Sequence, residues 1–291
     1  MHLTIRSLLL PLLFIFATAV CAEPLSVYVS ILPQKFIAER LGGEHVRVSV
    51  LVGPGQSAET YEPLPRQMAG LSRAALFYRI GVPFEDVLID SIKSANPQMA
   101  LLDAREGVAL REMESAGEHH ADADHGHAED GDDPHIWLAP ANVRIMIGHL
   151  RDRLIALDPA HADRYRENHA RFDQELIALE QEIRELLGPL NGRRFMVFHP
   201  SWGYFADAFG LQQLPIESEG KEPGARTLKR LVDQARAEEI KVIFVQQQFA
   251  QSQAAALAAA IGGRLVTLDP LAESYLDNLR QVARAIDEAY R

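Results

Sequence analysis

Four side chains that can bind a divalent metal occupy similar places in the sequence: each directly follows a predicted strand or lies in a loop that should follow one. They are Glu59, His135, His199 and Asp269. Open α/β sheets bind ligands at the carboxyl ends of their strands. Two imidazoles and two carboxylates suit zinc, whereas more oxygen ligands would favour manganese or iron. Taken singly, each residue also has a structural explanation, as a hydrogen-bonded loop histidine, a turn aspartate or a surface glutamate.

The elements that would position these residues form two similar sets of alternating strands and helices. The predicted strands are Leu25–Ile31, Val46–Val52, Leu76–Ile80 and Ala100–Asp103 in the first half, and Arg194–Phe198, Gln213–Ile216, Lys241–Val245 and Leu265–Leu268 in the second. Such alternation predicts parallel sheets covered by helices on both faces. We therefore expect an α/β protein with two lobes. Two of the four candidate ligands belong to each lobe, which places the site in the cleft between them.

A long helical pattern separates the two sets. Residues Ala160 to Leu187 contain neither Gly nor Pro, and apolar residues recur at helical spacing. A helix of that length, at ~1.5 Å per residue, spans roughly 42 Å and exceeds one small lobe. It is predicted to be a rigid connecting helix, although a surface helix of one lobe is the alternative. The predicted division is an N-terminal lobe at 23–158, a connecting helix at 159–190 and a C-terminal lobe at 191–291.

The first 22 residues have the pattern of a cleavable signal peptide. Arg6 precedes an apolar stretch from Leu8 to Val20, and Ala22 ends a small-residue exit. About 13 apolar residues are too few to cross a ~30 Å hydrocarbon layer. Cys21 leaves a lipoprotein anchor as the alternative. Cleavage after Ala22 would remove the single cysteine and leave an exported chain without a disulfide.

An acidic histidine tract, residues 112–133, carries most of the net charge of −11, because it contains nine acidic residues and no Lys or Arg. Its histidines are His119, His120, His125 and His127. This composition predicts a solvated, disordered loop. Neutral imidazoles among carboxylates also bind divalent ions weakly, so the tract is a candidate for metal capture or sensing. The rest of the chain is nearly neutral, which disfavours nucleic-acid binding.

Several segments together resemble one known family. They are Asp133–Leu138, Phe198–Phe205 and Leu268–Leu271, with Gly53–Pro65, Glu217–Pro223 and Val242–Phe249. From about residue 24 to the C-terminus the chain resembles the cluster A-I (cluster 9) solute-binding proteins of ABC metal importers, and specifically their zinc branch. The resemblance implies two (βα)4-type lobes with four-stranded, largely parallel sheets, joined by a long rigid helix with the metal buried between them. It also implies that His135, His199 and Asp269 are ligands.

The functional expectation from this resemblance is capture of Zn²⁺ in the periplasm and delivery to the membrane permease of an ABC importer. The fourth ligand position departs from the family pattern, because the run Ala58-Glu59-Thr60-Tyr61-Glu62-Pro63 has a glutamate where the zinc branch usually has histidine. This departure keeps Mn²⁺ and Fe²⁺ open as alternatives. The hypothesis is that Glu59 binds the metal through one oxygen. Alternatively, Glu59 does not contact the metal and a water molecule takes that coordination position.

Two further functions remain as alternatives. A secreted zinc hydrolase would need an open coordination position and a general base. The sequence has no His-Glu-x-x-His pattern, and Glu59 is the residue that could serve as that base. An adhesin or a zinc chaperone for exported enzymes would use the same fold and site. The prediction is a monomeric binding protein without catalytic activity.

Overall fold

The computed structural model of the chain describes residues 23–114, 131–217, 223–246, 248 and 252–291. Its first half contains β1 (Leu25–Val29), α1 (Leu32–Gly42), β2 (Val46–Val50), α2 (Pro65–Leu71), β3 (Leu76–Arg79), α3 (Pro83–Ala95), β4 (Ala100–Asp103) and α4 (Pro140–Leu157). Its second half contains α5 (Ala162–Leu187), β5 (Arg194–Val197), α6 (Gly203–Ala208), β6 (Gln212–Pro215), α7 (Ala225–Ala237), β7 (Val242–Val245), α8 (Ser252–Ile261), β8 (Arg264–Thr267) and α9 (Tyr275–Ala289). Each predicted strand is present, with bounds that differ by at most two residues.

The two sheets have the same parallel topology. Their strand orders are β2-β1-β3-β4 and β6-β5-β7-β8, and every pairing is parallel. All four residues of β3 and all four of β7 are buried, as expected for inner strands that have helices on both faces. The predicted two-lobed α/β fold is therefore confirmed. In each lobe, the loops at the carboxyl ends of the strands meet along one edge of the sheet.

The long helix α5 links the two lobes, as predicted. It has 26 residues, which at ~1.5 Å per residue give about 39 Å. Its buried face repeats at helical spacing and consists of Tyr165, Phe172, Leu176, Leu179, Ile183 and Leu187. This face packs against α1 and α4 of the first lobe and against α9, the last helix of the chain. The C-terminal helix thus returns to the connecting helix and holds the two lobes together.

Two apolar cores follow from the alternation of side chains along the second sheet. Phe195 and Val197 of β5 belong to the larger core, which extends through α5 and α4 into the first lobe. Met196, between them, belongs to a smaller core on the opposite face of the same sheet. Successive strand residues point to opposite faces, so one strand contributes to both cores. The continuous larger core restrains how the lobes move relative to each other.

A buried indole joins the segment before α4 to the loop after β8. Trp137 Nε1 donates to the carbonyl oxygen of Pro270 at 2.8 Å. In return, Tyr275 Oη donates to the carbonyl oxygen of Trp137, also at 2.8 Å. Both rings are 1% exposed, so these bonds are protected from competition with water. They hold the neighbourhoods of His135 and Asp269 together.

Among the described residues, no helix has the length and apolar content needed to span a membrane.

Candidate metal centre

Glu59 lies on an anchored loop between β2 and α2. Tyr61 Oη donates to the carbonyl oxygen of Leu51 at 2.5 Å, and Gln67 Nε2 donates to the same oxygen at 2.8 Å. The Tyr61 ring also packs edge-on against Phe84, with 5.0 Å between ring centroids. These contacts fix the loop at the carboxyl edge of the first sheet. The Glu59 side chain is 33% exposed and points toward the second lobe, where it meets His199.

His135 is oriented by the aspartate two residues before it. Asp133 Oδ1 accepts the backbone N–H of His135 at 3.0 Å and lies 2.7 Å from its ring nitrogen Nδ1. The Asp133 side chain is fully buried, and that of His135 is 8% exposed. A carboxylate on Nδ1 favours the tautomer in which Nδ1 carries the proton and Nε2 is free to bind a metal. Asp133 therefore prepares His135 as an Nε2 ligand.

His199 follows β5 and is buried between two carboxylates. Its Nδ1 is hydrogen-bonded to Glu217 Oε1, and its Nε2 lies 2.6 Å from Glu59 Oε1. Glu217 is itself 3% exposed. Both histidines thus have the same arrangement, with a buried carboxylate on Nδ1 that leaves Nε2 toward the cleft. This pairing of imidazole and carboxylate is the usual outer shell of a metal-binding histidine.

Three of the four predicted ligands come together in the structure. One ligand atom each from Glu59, His135 and His199 lies within 4.8 Å of the other two. The centroids of the two imidazole rings are 5.4 Å apart. Three ligands at ~2.0–2.1 Å from a tetrahedral zinc would be about 3.3 Å from one another, so small side-chain adjustments suffice. Residues from loops of both sheets therefore form a cluster that fits one metal ion.

The charge state of His199 depends on this cluster. Burial alone lowers the pKa of His199, but its hydrogen bonds to Glu217 and Glu59 outweigh burial and raise the pKa from 6.5 to about 9. Burial also raises the pKa of Glu59, but the hydrogen bond to His199 and the positive charge of that imidazole outweigh burial and lower the pKa overall. At neutral pH the metal-free pair is consequently an imidazolium and a carboxylate. A metal bound at Nε2 must replace that proton.

Asp269 does not join this cluster. Its Oδ1 accepts the backbone N–H of Leu271 at 2.9 Å, and its carbonyl oxygen accepts Asn278 Nδ2 at 2.7 Å. These bonds are typical of an aspartate that stabilises a turn, which is the alternative that the sequence offered for Asp269. Its backbone is nevertheless tied to the His135 segment through Pro270 and Trp137. Its role as a fourth ligand stays a prediction.

Sequence reasoning did not identify the two carboxylates behind the histidines. Asp133 and Glu217 lie inside segments that resemble the metal-importer family, but no role was assigned to them. The spacing Asp133-Pro134-His135 is a usable signal, because an aspartate can accept hydrogen bonds from the residue two positions later. Glu217 offers no comparable signal, since 18 residues separate it from His199. His119, His120, His125 and His127 lie outside the described residues.

Comparison with known proteins identifies the family of the chain. The sequence profile of a family described as zinc-uptake complex component A, periplasmic, matches residues 27–289. The chain belongs to this zinc-uptake family. It is similar to the high-affinity zinc uptake system protein ZnuA of Yersinia pestis, with 30% identity over 285 residues and 89% of each chain covered. A putative metal-binding protein of Chlamydia muridarum is 28% identical over 262 residues and is covered to the same extent.

Solved structures of other proteins have the same architecture. A crystal structure of ZnuA matches with a TM-score of 0.84 and 40% identity, covering 92% of this chain and 100% of that chain. The laminin-binding protein Lmb of Streptococcus agalactiae matches with a TM-score of 0.80 over 92% of this chain and 100% of its own. At 23% identity, that second likeness shows the fold alone. The predicted family resemblance and fold class are both confirmed.

Proposed function

We propose that this protein captures Zn²⁺ with high affinity in the periplasm and delivers it to the membrane permease of an ABC importer. The observation that carries this proposal is the cluster of Glu59, His135 and His199, in which a buried carboxylate orients each imidazole. Membership of the zinc-uptake family supports the transport role. The metal is the cargo, and binding and release are the whole chemistry.

The described ligands favour zinc over harder cations. His135 and His199 each offer one imidazole nitrogen, and Glu59 adds one carboxylate oxygen. Imidazole suits zinc, whereas manganese prefers a larger share of oxygen ligands. We propose Asp269 as the fourth ligand, reached when its carboxylate leaves the Leu271 N–H. Two carboxylates would then make the site harder than one with three imidazoles, so competition between zinc and manganese is part of the test.

The remaining parts of the chain have supporting roles in this proposal. Residues 1–22 act as the signal for export and are removed, and the acidic histidine tract gathers cations near the cleft. Metal binding stiffens the cleft more than it rotates the lobes, because α9 packs against α5 and the larger core continues between the lobes. The permease then recognises the stiffened, metal-loaded form.

The test begins with the metal content of protein purified without added metal. Zinc affinity is then measured by competition with a chelator, and manganese is titrated against bound zinc. The expected result is one tightly bound zinc per chain that excess manganese displaces poorly. His199→Ala should abolish tight binding, whereas His169→Ala, in the middle of α5 and away from the cluster, should not. Equal affinities for zinc in the two variants would contradict the proposed site.

Delivery needs a separate measurement. Binding to permease in membrane vesicles is compared for the zinc-loaded protein and for protein stripped by chelation. The loaded form should bind more tightly, since the metal orders the surfaces on both sides of the cleft. Equal binding of the two forms would contradict recognition of the metal-loaded state while leaving zinc capture intact.

A further inference from the structure

Arg111 makes three ion pairs at the point where the two lobes meet. Its Nη1 donates to Asp133 Oδ2 at 3.1 Å, and its Nε lies 3.0 Å from Asp207 Oδ2 on helix α6. Its Nη2 bonds Glu114 Oε1. The Arg111 side chain is 18% exposed and that of Asp133 is fully buried, so their pair is shielded from water, whereas the side chain of Asp207 is 62% exposed. One cation therefore links the chain after β4 to the first helix of the second lobe.

The carboxylate of Asp133 uses its two oxygens for different partners. Oδ2 accepts the guanidinium of Arg111, while Oδ1 accepts the ring and backbone N–H groups of His135. Asp133 is 0% exposed, so water does not compete for either oxygen. Charge-assisted hydrogen bonds of this kind set orientation as well as energy. Arg111 can therefore influence the orientation of the His135 imidazole through the carboxylate that both residues share.

Helix α6 is shaped to admit Arg111. A Cβ atom on Gly203 would lie 1.4 Å from Arg111 Nη1 and 3.0 Å from Asp133 Oδ2, so a larger residue would displace the guanidinium. Tyr204 Oη, the next residue, accepts the backbone N–H of Arg111 at 3.1 Å and donates to the carbonyl oxygen of Asp133 at 3.1 Å. The second lobe thus supplies both the space and a bridging hydroxyl for this pair.

Arg111 also lies at the base of the acidic histidine tract. Glu112 pairs with Asp132 in an antiparallel bridge, and the N–H of Asp133 donates to the carbonyl oxygen of Arg111 at 2.8 Å. The chain therefore enters and leaves the tract beside the same guanidinium. Displacement of α6 or of the base of the tract would act on the same ion pair.

We propose that Arg111 is a positioning residue that holds Asp133, and through it His135, in the orientation that binds metal only while α6 lies against it. Metal affinity is thereby coupled to the contact between the lobes at a point outside the cluster of ligands. This inference rests on the proposed function. It assigns Arg111 no direct contact with the metal.

The first experiment is a double-mutant cycle on zinc affinity, measured by chelator competition. Arg111→Met should weaken zinc binding by about 10–100-fold, the range typical of outer partners of metal-binding histidines. Arg111→Lys should recover part of the loss, because it keeps the positive charge. The double variant Arg111→Met with Asp133→Asn should bind no more weakly than Asp133→Asn alone, since Arg111 acts through Asp133. Additive losses, or an Arg111→Met affinity within twofold of the unaltered protein, would overturn the proposal.

The second experiment disturbs the pair from the opposite lobe. Gly203→Ala keeps every polar group but displaces the guanidinium, so it should give the same zinc loss as Arg111→Met. Gly148→Ala on α4 is the matched control, because a Cβ there meets nothing within 4 Å. Arg144→Met is a second control. Arg144 Nε forms a partly buried ion pair with Asp173 Oδ1 at 2.6 Å, and this pair lies away from the site. Both controls should keep full zinc affinity, and a Gly203→Ala variant with full affinity would overturn the role of α6.

A measurement on the metal-free protein separates this inference from the proposed function. The Nδ1–H proton of His135 should give a protected downfield resonance in NMR spectra of the unaltered chain. Arg111→Met should expose that proton to solvent exchange, whereas Arg144→Met should not. An unchanged resonance in Arg111→Met overturns the positioning role whatever the metal results are. If the unaltered chain shows the protected resonance but binds no zinc tightly, the proposed function fails and the orientation by Arg111 stands.

Discussion

Glu59 Oε1 lies 2.6 Å from His199 Nε2, so a carboxylate from the first lobe and an imidazole from the second already meet without a metal. This ion pair uses the same nitrogen that would bind zinc, because Glu217 occupies Nδ1. The carboxylate and the imidazole nitrogen are therefore close enough to bind the same metal ion. This relationship makes Glu59 the first residue to test.

If Glu59 binds the metal directly, Glu59→Ala should lower zinc affinity by about 10-fold or more. Loss of an outer partner of a metal ligand already costs about that much, and loss of a ligand should cost at least the same. Glu59→His should restore tight zinc binding and lower the relative affinity for manganese, since an imidazole replaces an oxygen ligand. Competition titrations of both variants provide the measurement. Unchanged zinc affinity in Glu59→Ala would rule out direct ligation and leave water at that corner.

Zinc binding should release a proton from His199 up to about pH 9. The pKa of His199 in the metal-free protein is about 9, above its ordinary 6.5, so the imidazole is charged at neutral pH and zinc must displace its proton. This group then contributes about a tenfold rise in affinity per pH unit below pH 9. As the pH falls, zinc binding should therefore begin to weaken near pH 9, whereas an ordinary histidine would make it weaken near pH 6.5. Calorimetry in buffers of different ionisation enthalpy measures the protons released.

The same group makes the metal-free protein less stable at alkaline pH. A folded pKa above the unfolded value stabilises the native state fully below pH 6.5, and this stabilisation is lost as the pH rises through about 9. The melting temperature of the stripped protein should therefore fall between these values. Glu59→Gln should reduce the fall, because one of the two carboxylates that raise the pKa is gone. An identical pH profile in Glu59→Gln would contradict this origin.

Glu217→Gln should weaken zinc binding by about 10–100-fold. The variant keeps every proposed ligand and changes only the hydrogen-bond partner of His199 Nδ1. The amide keeps the size of the side chain, but it loses the buried anionic acceptor that orients the His199 ring through Nδ1 and makes Nε2 a stronger ligand. Glu182→Gln, which removes an exposed carboxylate paired with Arg280, is the matched control and should bind zinc normally. If both variants bind zinc equally well, Glu217 is not part of the functional site.

Asp269→Asn distinguishes a ligand from a turn residue. The amide oxygen can still accept the Leu271 N–H, so the turn is kept while the anionic ligand is lost. If Asp269 completes the site, zinc affinity should fall by about 10-fold or more. Asp269→Ala, which removes the turn bond as well, should then lower stability in addition to affinity. Full zinc affinity in Asp269→Asn would assign this residue to the turn alone.

Deletion of residues 115–131 should keep one tight zinc site and remove additional weaker ones. The proposed ligands lie outside this segment, and the bridge between Glu112 and Asp132 shows that the ends of the tract are already close. Calorimetric stoichiometry measures the sites before and after deletion. Replacing His119, His120, His125 and His127 by Asn gives a control that keeps the acidic charge. Loss of the tight site on deletion would mean that the tract supplies a required ligand.

Local sequence patterns determined most of the architecture. The bounds of the strand Ala100–Asp103 agree with the structure, and the apolar face of α5 was recognisable because its residues recur at helical spacing. Such periodicity reflects which face of an element is buried, so it can be read without knowing what covers that face. The candidate ligands were visible for a related reason, since His199 and Asp269 lie just after strands and Glu59 lies in the loop after β2.

The pairings within the site were decided by tertiary structure alone. No local pattern places Glu59 against His199 or brings Glu217 to the Nδ1 of that imidazole. These contacts join loops from different strands, and in the first case from different sheets, so they depend on how the lobes pack around α5 and α9. The sequence by itself determined which residue types stand after the strands and in the loops that could form a site. Only the packed lobes decided which of them meet, because hydrogen-bond partners depend on distances across the cleft that no sequence spacing encodes.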